Sequence, residues 1–169
     1  MSASLSPKSP FDLLRLPLRA WGLASRVLDA LRAPALLAAR LYVSYVFFHS
    51  GLETLHNWQG TVWLYQNEFH VLLLPPLVAA LVGSAGELLL PPFVALGLGG
   101  RFAATGLFVV NAVALLSYMY ALQPAAIELH YIWGSLIASV ALWGPGSWSV
   151  DAWLARARRV QSARDIPAQ

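Results

Sequence analysis

Residues 86–118 read GELLLPPFVALGLGGRFAATGLFVVNAVALLSY, two apolar runs joined by a glycine-rich break. With their apolar neighbours the runs extend over Pro76–Leu98 and Arg101–Leu122. Each is close to the ~20 residues that a helix needs to cross ~30 Å of hydrocarbon. Lipid offers nothing to an unpaired N–H or C=O, so both runs are expected to be helices with a tight turn around Gly99 and Gly100.

Two more segments of this kind flank the hairpin, Pro34–Leu55 before it and Ile127–Trp143 after it. The last is a little short and would stand upright or thin the bilayer. The chain is 58% hydrophobic and only 11% charged, against about 25% in ordinary soluble domains. The fold class is therefore all-α: a four-helix transmembrane bundle. The chain has no cysteine, which excludes thiol–disulfide exchange, iron–sulfur ligation and any other thiolate-based cofactor. Redox work would need a bound cofactor or a partner protein.

The 11 basic residues sort onto one side of this arrangement. Lys8, Arg15, Arg19, Arg26, Arg32 and Arg40 precede or open the first span. Arg101 sits in the second connection, and Arg156, Arg158, Arg159 and Arg164 follow the fourth span. The positive-inside rule places that side, with both termini, in the cytoplasm. This placement explains the basic pI without a nucleic-acid partner.

Three segments follow: a cytoplasmic amphipathic stretch at 1–33, the four-span domain at 34–145 and a second amphipathic stretch at 146–169. The first is not a signal peptide, because arginines interrupt it throughout. Pro17 can open a helix there, with Ala20, Ala24, Val27 and Leu31 on one face and Arg19, Arg26 and Asp29 on another. In the last segment Ser149 is the expected N-cap, and Trp148 and Trp153 the interfacial anchors. The first connection between spans interleaves Trp58, Val62, Trp63, Tyr65 and Phe69 with polar residues, the pattern of a short helix half-sunk in the interface. Pro75 and Pro76 start the second span.

Ionisable groups inside the spans are costly and by default suggest a functional site. Glu87 lies ~16 Å into its span at 1.5 Å per residue, near the midplane. Asn111 follows Gly99 by the interval at which Glu87 precedes it, so a hydrogen bond between them across the hairpin is expected. Such a bond can simply fix helix packing, or it can serve a protonatable site. Pro91 and Pro92, one turn on, remove backbone donors and bend the helix.

A second set lies toward the end of the first span, in FFHSGLETLHNW at 47–58. His49, Glu53 and His56 share one helical face, which Tyr42 and Tyr45 continue. That face is expected to meet other helices or a ligand. Glu68, His70, Glu128 and His130 occupy the same end. Histidines with a glutamate could hold a divalent ion or haem, but no HExxH pattern occurs and no metal set is assigned.

The runs RLYVSYVFFHSGLETL at 40–55, the hairpin at 86–118, and HYIWGSLIASVALWGPGSWSVD at 130–151 resemble the DoxX family. The likeness rests on Gly51, Gly86-Glu87, Gly97–Arg101, His130 with Trp133, and Gly144-Pro145-Gly146 before Ser149 and Asp151. Thr54 stands where many relatives have lysine, so an anion site dependent on that lysine is not expected. The resemblance implies a multi-pass protein of the bacterial inner membrane associated with a redox or metal-handling system; it assigns no cofactor, a quinone being the one candidate. If the chain is enzymatic, it is an oxidoreductase subunit. On this reading Glu87, Asn111 and His130 are the catalytic candidates, and Glu87, Tyr118 and Trp133 the cofactor-binding ones. Glu68 and His70 join His130 at the mouth. The alternatives are a non-catalytic scaffold for a periplasmic or cytoplasmic protein, and a small transporter, less favoured because no inverted repeat is evident. The bilayer is the one required partner, and a homo-oligomer is compatible with all these readings.

Overall fold

A computed structural model describes residues 10–164, which form six helices. They are α1 (Pro10–His56), α2 (Trp58–Asn67), α3 (Pro76–Leu96), α4 (Gly100–Tyr118), α5 (Pro124–Trp143) and α6 (Val150–Arg164). Four of them, α1, α3, α4 and α5, are long and apolar enough to cross a membrane. They pack in the cyclic order α1–α3–α4–α5, with α5 closing back on α1 and α2 lying against α3. Lys8, with the rest of residues 1–9, and the chain beyond Arg164 lie outside the described residues.

Two expected boundaries differ. The first helix does not break at Pro34: α1 runs unbroken through 47 residues, roughly 70 Å at 1.5 Å per residue. Only its C-terminal half is packed into the bundle; Trp21, Leu23, Val27, Leu28 and Leu31 are all exposed. One missing N–H at Pro34 is not enough to end a helix in a segment so rich in alanine and leucine. The fourth span is not short, because α5 begins at Pro124 and has 20 residues. Proline at a first helical turn has no donor to lose and a φ already suited to the helix, so the apolar count starting at Ile127 missed that turn.

Helices in lipid associate through close packing rather than burial from water, so small residues mark the contacts. A Cβ on Gly86 would meet Val110 at 2.7 Å, and one on Gly106 would meet Leu90 at 3.0 Å. A Cβ on Gly51 would lie 2.8 Å from Leu88 and 3.1 Å from the backbone carbon of Glu87. Val43, Phe47, Val94, Ala104, Leu107 and Ile137 fill the centre.

The end of the bundle that carries the termini is held by a polar lock. Gly97 and Gly99 take left-handed φ values of 65° and 55°, turning α3 into α4. The Asp151 carboxylate then accepts from Gly99 N–H and Gly100 N–H, both at 2.9 Å, capping α4 with a residue from α6. Asp151 N–H in turn donates to Gly97 O at 3.1 Å. Arg40 of α1 is completely buried beneath this turn and donates to Trp148 O at 2.5 Å. Ser149 caps α6 as expected, accepting from Ala152 N–H at 3.2 Å.

The lock separates two neighbouring glycines. A Cβ on Gly97 would run into Arg40 Nη1, Ser149 and Pro145, whereas one on Gly99 meets nothing within 4 Å. Gly99→Ala should therefore cost only the left-handed strain, about 1 kcal/mol. Gly97→Ala adds a clash and should cost about 3 kcal/mol. Thermal unfolding of the detergent-solubilised variants checks the order, and equal losses would contradict the packing described.

Candidate functional site

Glu87 sits near the middle of α3, partly buried, on the face turned toward α1 and α2. Its Oε2 is 3.4 Å from Thr54 Oγ1, whose hydroxyl also donates to Ser50 O at 2.9 Å. The hydroxyl proton is shared, held closely by Ser50 O and more weakly by the Glu87 carboxyl group. Pro91 lies four residues beyond Glu87 and has no N–H, so the Glu87 carbonyl also lacks its helical donor. The close approach of Gly51 lets α1 lie directly against this part of α3.

Tyr65 completes the group from α2. Its hydroxyl rests over Gly83, one turn from Glu87, where a Cβ would come within 2.6 Å. Burial, and secondarily the Glu87 charge, push the Tyr65 phenol up to about 12, so it is a neutral donor at physiological pH. Tyr65 is fixed in an aromatic stack: Phe69 lies 4.5 Å from it, and Tyr118 lies 4.7 Å beyond Phe69, the three rings nearly parallel.

Glu87 and Tyr65 open onto a cleft of about 330 Å³ between α3, α4 and the segment that precedes α3. Val82, Val109 and Val113 form its apolar walls, and Leu72 to Leu74 cover it. Leu72 and Leu73 are almost wholly exposed on their outer side, and Leu73 holds a positive φ of 82°. The cleft therefore combines one carboxyl, one phenol and a hydrocarbon lining, at a depth that lipid-soluble molecules reach.

The expected hydrogen bond from Glu87 to Asn111 is not formed. The hairpin contact is made by Gly86 with Val110 and Leu90 with Gly106. Glu87 and Asn111 each follow one of these contact residues and are turned ~100° away from the shared interface, in different directions. Depth was legible from the spacing; direction around the helix was not. Asn111 is buried against α5 instead, where its Nδ2 donates to His130 O at 3.1 Å and its Oδ1 lies 2.9 Å from His130 Nδ1. An amide oxygen only accepts, so His130 carries its proton on Nδ1 and keeps Nε2 as a lone pair. Trp133 stands edge-on to His130 at 5.1 Å and donates from Nε1 to Tyr42 Oη at 3.3 Å.

The expected site residues thus fall into two groups. Glu87 and Tyr118 belong with Tyr65 on one side of the bundle. Asn111, His130 and Trp133 form a second chain that ties α4 to α5 and α1. Glu68 and His70 gather around Tyr120: the Tyr120 hydroxyl donates to Glu68 O, and His70 meets its ring edge-on at 5.2 Å. His130 is not in that group. His49 and Glu53 pair with each other at 3.5 Å on an exposed face, not against a neighbouring helix, and Glu128 is exposed. Among the described residues no three such side chains converge as metal ligands. The residue missed from sequence is Tyr65, which looked like one more interfacial aromatic; its signal was Gly83, a gap one turn from Glu87.

The sequence pattern of the DoxX family matches residues 35–119, from the packed half of α1 to the end of α4. The chain belongs to the DoxX family. The match holds Gly51, Thr54, Tyr65 and Glu87, while the Asn111 partner His130 lies beyond it. No curated protein and no solved structure matches this DoxX chain.

Because the Glu87 charge contributes to the high Tyr65 value, Glu87→Gln should lower the Tyr65 midpoint from about 12. Burial persists in that variant, so the midpoint should stay above the ordinary phenol value of about 10. Ultraviolet titration against a Tyr65→Phe reference isolates this phenol, and an unchanged midpoint would place Glu87 too far from Tyr65.

Proposed function

We propose that this DoxX protein is the membrane subunit of a redox-associated system and that its Glu87 cleft takes a quinone headgroup. The supporting observation is that Glu87 and Tyr65 line the same apolar cleft, with Glu87 near the middle of the α3 span. Its ~330 Å³ lies within the roughly 300–1,000 Å³ of ordinary small-molecule sites. A quinone offers two carbonyl acceptors on a ring with an apolar tail, and the cleft offers a phenol donor, a carboxyl group and hydrocarbon walls.

Reduction of a quinone to a quinol takes two electrons and two protons. The chain has no cysteine, so the electrons would come from a bound cofactor or a partner protein. Tyr65 would orient one carbonyl by hydrogen bonding and Glu87 would supply one of the two protons there, the second coming from solvent. Thr54 holds the carboxyl in place, and the Phe69–Tyr118 stack holds Tyr65. Asn111 and His130 act in this scheme as the tie between α4 and α5, which fixes the wall of the cleft. The basic residues at the termini support an orientation with that end in the cytoplasm of a bacterial inner membrane.

A second reading is a non-catalytic scaffold. It rests on the N-terminal half of α1, which extends past the bundle with Trp21, Leu23 and Leu28 unpacked.

Titration of the purified protein with a fluorescent quinone analogue separates the two. The quinone reading predicts saturable binding, weakened about tenfold or more in Glu87→Gln and Tyr65→Phe, the loss expected for a hydrogen bond to a buried polar group. Absence of binding to the folded wild type, or equal binding in all three proteins, would favour the scaffold.

A further inference from the structure

Tyr42, Tyr45, His49, Glu53 and His56 of α1 fall within about 60° of the His49 direction, forming one stripe. Tyr42 meets Trp133 of α5, but from Tyr45 onward the stripe is outside the bundle. The His49 and Glu53 side chains are 56% and 73% exposed, and Tyr45 is 69% exposed. Its depth can be read from α3. Gly51 packs on the backbone of Glu87 and Leu88, close to the middle of the Pro76–Leu96 span. His49 is two residues from Gly51, about 3 Å along the axis, and its side chain leans toward the helix N-terminus. An imidazole paired with a carboxyl group therefore projects from the bundle near the centre of the hydrocarbon, with Glu53 about one turn nearer the surface.

Ionisable residues inside spans almost always face protein or a water-filled cavity, because hydrocarbon leaves their polar atoms unsatisfied. Beside the stripe runs a groove of about 280 Å³ between α1 and α3, walled by Leu41, Phe48, Pro91 and Ala95. Ser44 also lines it, and its buried hydroxyl has no hydrogen-bond partner among the described residues. A lipid chain would satisfy none of these groups.

We propose that a second copy of this chain covers the stripe, through a two-fold axis along the membrane normal. Such an axis sets identical residues at the same depth. Each copy then brings one imidazole and one carboxyl group, a turn apart, to a shared layer. The imidazole of one copy meets the carboxyl group of the other, so the set is complementary to itself. The Tyr45 ring of one copy lies against the groove of the other, beside Leu41 and Phe48. This interface lies on the face of α1 turned away from Thr54 and does not depend on what the Glu87 cleft binds.

The chain has no cysteine, so single cysteines report proximity without background. Tyr45→Cys and His49→Cys are oxidised in native membranes, with Val109→Cys, exposed on α4 at similar depth, as reference. The expected result is that most of the protein carrying Cys at 45 or 49 shifts to twice the chain mass, while the Val109 variant stays at single mass. Single mass at both α1 positions would overturn the proposal, as would equal cross-linking at Val109 or cross-linking to a different protein. Adding Glu53→Leu to Tyr45→Cys should abolish most of the cross-link; an undiminished yield would overturn the role given to the imidazole–carboxyl pair.

Discussion

A carboxyl group halfway along a membrane helix has to be met by polar atoms that its neighbours can spare. In this DoxX protein Glu87 imposes that requirement, and the surrounding elements answer it. Gly51 and Gly83 carry no side chain, which brings α1 and the α2 tyrosine within reach. Thr54 shares its hydroxyl proton between Ser50 O and the Glu87 carboxyl group, while Tyr65 presents a phenol that burial keeps protonated. Placing any of these groups on the far side of the bundle would leave Glu87 facing hydrocarbon. Glu87 and Tyr65 also line an apolar cleft.

The opposite end of the bundle is built differently. There the polar atoms serve position. Asp151 caps α4 across the glycine turn, and Arg40 anchors α1 beneath the strand of residues that leads into α6. These contacts join α1 and the α3–α4 turn to the start of α6 at one level. Because Gly51 contacts the Glu87 backbone from α1, the lock and the cleft are mechanically linked through one rigid element. Cofactor-like polar constellations and structural polar locks therefore look alike in composition and differ in what they face: the first opens on a cleft, the second on backbone N–H and C=O groups.

Span number, turn position and the short interfacial helix were legible because each follows from local hydropathy and from glycine or proline at fixed places. Asp151 and the Gly97–Arg101 stretch stood out as parts of a family pattern, without a reason; the cap supplies it. The partner of Glu87 was not legible. Spacing on either side of Gly99 gives depth along a hairpin, but the contacts Gly86–Val110 and Leu90–Gly106 set the rotation, and a one-residue offset turns a side chain by ~100°. Asn111 consequently meets His130, and Glu87 meets Thr54. The stripe at His49 failed for a related reason. Helical periodicity shows that residues share a face, but not which way that face is turned.

Glu87 is held by α1 and α2 and is independent of Asn111. Double-mutant cycles on the unfolding of the detergent-solubilised protein read this out. A coupling of about 0.5 kcal/mol or more is expected between Glu87→Gln and Thr54→Val, and between Glu87→Gln and Tyr65→Phe. Additivity within about 0.3–0.5 kcal/mol is expected between Glu87→Gln and Asn111→Leu. Coupling of Glu87 to Asn111 with additivity toward Thr54 and Tyr65 would contradict it.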